Sequence, residues 1–183
     1  MNTKDSVNFM DAAGGGLHAS HSVVDSLDPR GVFKVTCRAP DGSVRWEIDF
    51  PNLVVTVGKN DLLNQYFLGS SYTAAHFVGL KAAGTIAAGD TMASHAGWTE
   101  ITDYSNGTRP AFTAAVPSGG STSNSASPAV FNINGTATVA GCFITTNSTK
   151  GGTTGILFSA ADFAVARNVL SGDTLTVTYT ISC

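Results

Sequence analysis

DTLTVTYTI, residues 173–181, has the clearest periodic pattern in the chain. Leu175, Val177, Tyr179 and Ile181 alternate with four threonines, and this period of two predicts a β-strand with one buried face and one threonine face. The strand lies almost at the C-terminus, where an unpaired strand would fray. We therefore expect it to pair centrally in a sheet.

A β-hairpin is predicted upstream, at residues 32–38 (VFKVTCR) and 43–50 (SVRWEIDF). The connection contains Pro-Asp-Gly, in which proline presets the first turn angle and glycine accepts a positive φ. The first run places Phe33, Val35 and Cys37 on one face, which we expect to be buried.

Further short apolar runs, separated by connectors rich in Gly, Ser and Asn, predict more strands. About seven to nine strands without βαβ alternation indicate an all-β protein, an antiparallel β-sandwich or jelly-roll-like fold with one short helix and an extended N-terminal arm. We assign residues 1–30 to the arm, 31–51 to the hairpin and 52–183 to the sandwich domain. The further predicted strands are 75–81, 98–104, 110–116, 128–133, 136–145 and 155–159, and the connectors include 84–96, 118–127 and 147–155.

The short helix is predicted within residues 52–70. Residues 58–61 supply a turn and a possible N-cap, and Gly69 suits a left-handed C-cap. A helix of two to three turns is marginal alone, so we expect its apolar face to dock on a sheet and to close one end of the sandwich. That face consists of Leu62, Leu63, Tyr66 and Phe67.

Composition narrows the function classes. Only 13% of residues are charged, about half the usual share, while 18 Ser, 22 Thr and 20 Gly cover much of the predicted surface. The net charge of −3, with 10 Lys and Arg in no basic run, argues against nucleic acid as a partner. We expect no membrane span and no secretory signal. The three cysteines, at 37, 142 and 183, have no CxxC spacing and are interpreted as reduced structural thiols.

The arm, residues 1–30, has few regularly spaced apolar residues and a run of three glycines. It cannot bury enough apolar surface to offset its ordering entropy, so we expect it to be disordered in isolation or clamped by a partner subunit. Its His18 and His21 have a spacing that a helical metal site uses, but no third ligand is nearby, and we interpret them as surface histidines.

Candidate chemistry is limited to one acid/base cluster, Asp90, His95, Glu100 and Asp103. A hydrolase would need these groups to converge in a cleft, whereas we expect Glu100 to face outward. The favoured alternative is structural: Asp90 and His95 bond within their loop, Trp98 anchors it, and Glu100 pairs with Arg109. Residues 150–154 (KGGTT) have the wrong order for a phosphate loop and predict a hairpin turn. We therefore assign no catalytic, cofactor or metal site.

A sugar-stacking surface is the second binding hypothesis. It would use the aromatic residues that several predicted strands carry, since aromatic faces on a β-sandwich stack on saccharides. Aromatic residues on strands are more often part of a core, so this stays an alternative. The residues concerned are Trp46, Tyr72, Trp98 and Tyr104.

A longer series of motifs resembles a family of small proteins encoded among the structural genes of tailed bacteriophages. The resemblance covers about residues 52–182 and is specific in order and spacing. It is carried by Asn52-Leu53-Val54, Gly58, Asn60-Asp61-Leu62-Leu63, residues 90–112 (DTMASHAGWTEITDYSNGTRPAF), Phe131-Asn132-Ile133-Asn134, Gly141, residues 147–155 (NSTKGGTTG) and Ser171-Gly172-Asp173.

The resemblance implies a virion component, assembled in the cytoplasm of the host bacterium, with no catalytic motif. We expect a head decoration or cement protein that binds the major capsid protein and self-associates, since such proteins act through repeated contacts. A tail, collar or neck component and a carbohydrate- or receptor-binding β-sandwich module are the alternatives.

Overall fold

The structure is a computed structural model that describes residues 28–69 and 75–183. Within these ranges the chain forms eleven strands and one short helix, and the predicted all-β sandwich is confirmed. Most of the predicted arm, residues 1–27, lies outside the described residues. The strands are β1 Arg30–Arg38, β2 Val44–Pro51, β3 Leu53–Val54, β4 His76–Lys81, β5 Glu100–Ile101, β6 Ala111–Phe112, β7 Ser121–Ser123, β8 Ala129–Asn132, β9 Ala137–Thr145, β10 Leu157–Val169 and β11 Thr174–Ser182.

β11 lies centrally in the first sheet, as its pattern predicts. It pairs antiparallel with β1, from Arg30 opposite Ser182 to Arg38 opposite Thr174. Its other edge pairs with β8 and then with β7. Because β2 pairs with β1, the predicted hairpin supplies two strands of this sheet, and Phe33, Val35 and Cys37 are buried as expected.

The second sheet has the order β3-β10-β9-β4-β5, with β6 also paired to β4. β10 differs most from its prediction, because it continues to Val169 instead of ending at residue 159. The continuation was missed because its apolar residues do not alternate regularly. Its register against β9 shifts between Asp162 and Arg167, and this irregularity leaves Val165 exposed.

Short strands account for the remaining differences. The runs at 98–104 and 110–116 contain only the two-residue strands β5 and β6. β3 and β7 were not predicted as strands, because they are short and β7 lies in a serine-rich connector. The described residues therefore contain eleven strands rather than seven to nine.

The two sheets pack through an aromatic seam. Phe33 contacts Phe50 and Tyr179 within the first sheet, with ring centroids 5.4 and 4.5 Å apart. Across the sandwich, Phe50 meets Phe163 edge-on at 4.7 Å, and Tyr179 meets Phe112 at 5.6 Å. Such edge-to-face pairs add specific geometry to the burial of apolar area.

The helix begins earlier than its sequence pattern predicts. α1 spans Thr56–Leu63 and continues as a π-helical turn over Asn64–Leu68. Val55 is its N-cap and makes no side-chain capping bond, so the predicted cap at residues 58–61 is wrong. Gly69 ends it in the left-handed region at φ 58°, as predicted.

The apolar face of this helix points to solvent, and its predicted docking on a sheet is wrong. The helix instead packs at Gly58, where an added Cβ would lie 2.3 Å from the carbonyl oxygen of Phe158 in β10. This backbone approach requires glycine and sets the rotation of the helix. The four residues of the predicted docking face are all exposed: Leu62, Leu63, Tyr66 and Phe67.

Truncation within the aromatic seam should destabilise the fold strongly. Phe33 is fully buried, whereas its neighbour Val32 is 48% exposed. We expect Phe33→Ala to lower the free energy of unfolding by about 3–5 kcal/mol, because it removes buried contacts and leaves a cavity. Val32→Ala is the matched control and should change little. Urea denaturation followed by circular dichroism compares them, and equal losses would contradict the described packing.

Candidate functional site

Asp90 and His95 hold a buried tryptophan in place. Asp90 Oδ2 accepts hydrogen bonds from Trp98 Nε1 at 2.9 Å and from the Ala87 N–H at 3.0 Å. His95 Nδ1 donates to the Trp98 carbonyl at 3.0 Å, and its ring stacks on the indole at 4.1 Å. Trp98 is 3% exposed. The structural interpretation of this loop is therefore confirmed.

Glu100 faces inward and pairs with Arg109. Arg109 Nε and Nη2 donate to the two carboxylate oxygens at 2.9 and 2.7 Å. The Arg109 side chain is fully buried and that of Glu100 is 9% exposed. The predicted pair is confirmed, but the expected outward orientation of Glu100 is wrong, because a buried guanidinium needs an adjacent carboxylate. Asp103 is exposed and lies outside this pair.

The glycine-rich loop after β9 closes over the ion pair. Arg109 also donates to the carbonyls of Asn147 and Gly152 at 2.8 and 2.9 Å. The Gly151 N–H donates to Glu100 at 2.8 Å. Because this N–H donates to a carboxylate of the same chain, the hydrogen bond anchors the loop to the sandwich.

Two further ion pairs each have a fully buried member. Lys81 in β4 contacts Asp162 of β10 and donates to the Gly84 carbonyl at 3.0 Å. Asp173, just before β11, accepts from Arg45 Nε at 2.9 Å. Since a buried charge is stable only beside its partner, these pairs fix how loops and strands meet.

The three cysteines are free thiols, of which Cys37 and Cys142 are buried and Cys183 is exposed. Burial raises the pKa of Cys37 from 9.0 to about 12, and the Asp173 carboxylate adds to the shift. Burial also raises the pKa of Cys142, which Lys81 only partly offsets. Both buried thiols are therefore protonated and weakly nucleophilic at neutral pH.

The aromatic residues of the sugar-stacking hypothesis are not assembled on one described surface. Trp98 and Tyr104 are buried. Trp46 is half-buried and packs edge-on against Phe163, with ring centroids 5.9 Å apart. Tyr72 lies outside the described residues. Trp98 and Tyr104 are therefore part of the core.

Sequence reasoning missed an exposed apolar surface at the end of the helix, which we call the helix tip. Tyr66 is 83% exposed, Phe67 70% and Leu68 76%. The two aromatic rings contact each other edge-on, with centroids 4.9 Å apart. Contiguous exposed apolar residues mark interaction surfaces in soluble proteins. The helix tip comprises Leu62, Leu63, Tyr66, Phe67 and Leu68.

An apolar groove of about 650 Å³ opens beside the helix tip and has Leu62 at its rim. Burial lowers the pKa of His76 in its wall, and the Asp61 carboxylate partly offsets this. The imidazole is therefore uncharged at neutral pH, which keeps the wall weakly polar. Both sheets and the 113–117 segment contribute to the lining, chiefly His76, Phe112, Ala114, Phe158, Tyr179 and Ile181.

The described part of the chain has neither a cluster of metal-ligating side chains nor a membrane-spanning helix. Residues 28–69 and 75–183 contain no group of three or more His, Cys, Asp and Glu placed to hold a metal ion. No helix in these ranges is long and apolar enough to cross a membrane. His18 and His21 lie outside the described residues.

Comparison with known proteins gives no match: no protein-family model matches the chain, and no curated protein matches it significantly.

Loss of the buried guanidinium should destabilise the protein. We expect Arg109→Met to lower the free energy of unfolding by about 3–5 kcal/mol, because it leaves Glu100 charged and buried without a partner. The double variant Arg109→Met/Glu100→Leu should recover part of the loss, since no buried charge remains. Lys34→Gln breaks the exposed pair with Glu47 and is the control, with little expected change. Equal stability of wild type and Arg109→Met in urea denaturation would contradict this role.

The buried thiols should make the protein less stable at alkaline pH. The folded state keeps the Cys37 proton until about pH 12, whereas an unfolded thiol loses it near its ordinary pKa of 9.0. This stabilisation is complete below about pH 9 and is lost as the pH rises towards 12. We expect a shallower decline in Cys37→Ala than in wild type and an unchanged decline in the control Cys183→Ala. Urea denaturation between these pH values tests this, and identical slopes for all three proteins would contradict it.

Proposed function

We propose that the protein is a structural component of a tailed-bacteriophage virion, and specifically a head decoration or cement protein. It binds the lattice of the major capsid protein and stabilises it. The proposal rests on the resemblance of the motif series to the phage structural family and on what those residues do in this fold. It assigns the chain no catalytic role.

The observation that carries the proposal is that several of the motif residues make contacts that hold the sandwich together. Asn52 accepts the Gly31 N–H at 2.6 Å and donates to the Tyr179 hydroxyl at 2.7 Å, which joins β11 to the approach to the helix. Gly58 provides the contact between helix and β10. These motif residues specify packing, which is what residues common to a family of one architecture would do.

The other motif blocks have the same role. Residues 90–112 contain the Asp90–Trp98 bond and both members of the Glu100–Arg109 pair. Residues 147–155 form the loop that closes over that pair. Asp173 binds the Leu170 N–H at 2.9 Å and the Arg45 side chain. Because these ionisable groups are used for internal contacts, we infer that the protein acts through surface contacts rather than by catalysing a reaction.

A decoration protein stabilises a lattice through many repeated contacts, each of which typically buries about 1,200 Å² or more in total. The chain has few charges and a net charge of only −3. Its contacts therefore depend mainly on shape and apolar area, and we expect binding to vary little with ionic strength.

Binding to phage particles tests the proposal directly. We expect the full chain, mixed with empty heads that lack it, to give periodic density over the head lattice by cryo-electron microscopy. Decorated heads should also break at a higher temperature than heads in buffer alone, because the bound protein adds contacts across capsid joints.

Isolated tails serve as the matched comparison. Density only at the tail or neck would replace head decoration with the tail or collar alternative. Absence of density on both particles would overturn the virion assignment, and saccharide binding by the same preparation would then favour the carbohydrate-binding alternative.

A further inference from the structure

The helix is oriented opposite to the usual arrangement of an amphipathic helix on a protein surface. Its inward side carries Gly58, Asp61 and Gln65 beside a single apolar residue, Val57, which packs against the core. Gln65 donates to the Asp61 carboxylate at 3.3 Å. Its apolar stripe points outward, with Tyr66 and Phe67 mostly exposed. A surface helix normally buries the apolar stripe. The exposed stripe therefore lacks a covering surface within the described residues of one copy.

We propose that the helix tip and the apolar groove together form the contact surface between two copies of this chain. The tip of each copy inserts into the groove of the other. This inference goes beyond the proposed function and does not rest on it, because self-association is measured without any phage particle.

The available area favours a contact that uses both features. Tyr66 and Phe67 at their observed exposures offer roughly 300 Å². The three leucines of the tip, at their own exposures, raise this to roughly 550 Å². A stable interface needs about 800 Å² from each partner. Tip against tip is therefore too small, whereas a tip and a groove from each copy bring the contact towards the required area.

The groove matches the tip in size and chemistry. A cavity of about 150 Å³ holds one benzene ring, so a groove of 650 Å³ has room for both the Tyr66 and Phe67 rings. Phe112 and Phe158 are among its lining residues, and aromatic side chains pack favourably against one another.

The positions of the helix tip and the groove allow a closed dimer. Leu62 belongs to the tip and also lines the rim of the groove, so the two features are adjacent on one copy. A two-fold axis beside this rim places each tip opposite the other copy's groove. Such an isologous contact uses the same surface twice and ends at a dimer.

Sedimentation of the full chain across micromolar concentrations tests the inference. We expect a reversible monomer–dimer equilibrium in wild type. The double variant Tyr66→Asp/Phe67→Asp should raise the dissociation constant roughly 30-fold or more, because it places charges where the apolar contact forms. Ala114→Arg, at the exposed groove wall, should weaken association similarly. Val165→Asp is the control: it changes an exposed apolar residue outside both features and should leave association unchanged.

Mixing the variants tests the geometry. A tip variant and a groove variant together can form one intact tip-in-groove contact, so we expect more dimer in the mixture than in either variant alone. No recovery in the mixture would overturn the reciprocal arrangement.

A monomeric wild-type chain would overturn the proposal. Hydroxyl-radical labelling then identifies the reason. Strong labelling of Tyr66 and Phe67 would show an uncovered tip, and protection would show that the tip is covered by residues of its own chain. Dimerisation that persists in both the tip and the groove variants would also overturn the proposal, by placing the interface elsewhere.

Discussion

The close packing of the helix backbone on β10 at Gly58 determines which surface this protein presents. An added Cβ would lie 2.3 Å from the Phe158 carbonyl oxygen, so the helix can approach this closely only at a glycine. Once Gly58 faces inward, the 3.6-residue period places Asp61 on the same side of the helix. In the π-helical turn that follows, Gln65 is half-buried, and Tyr66 and Phe67 face solvent. A single backbone contact therefore produces both the exposed helix tip and the position of Leu62 at the groove rim.

Buried ion pairs hold the loops in place on the sheets. The protein has few charges, yet Lys81, Arg109 and Asp173 are fully or almost fully buried, each beside an opposite charge. Such pairs add little net stability compared with apolar packing, but breaking one leaves an uncompensated charge. They therefore fix the relative positions of loops and sheets.

Much of the fold could be predicted from local pattern. The alternation in β11 and the Pro-Asp-Gly turn after β1 are local signals, and both predictions are confirmed. The Glu100–Arg109 pair was also predicted, as part of the structural interpretation of this block, and it is confirmed. The rotation of the helix could not be predicted, since it depends on a contact between Gly58 and Phe158, which lie 100 positions apart in the sequence.

The same limit applies to the candidate site. Whether Trp98 or Phe67 is exposed depends on tertiary packing, and both are large aromatic residues beside turns in the sequence. Burial of Trp98 agrees with its predicted anchoring role, whereas exposure of Phe67 contradicts its predicted docking and moves the binding hypothesis to the helix tip.

A high-resolution experimental structure of the protein in its assembled form tests the central claim most directly. Gly58 should remain on Phe158, and the Tyr66 and Phe67 side chains should pack against another protein chain. A structure in which these rings face solvent, or in which the helix rotates to bury them on its own sandwich, would contradict the account.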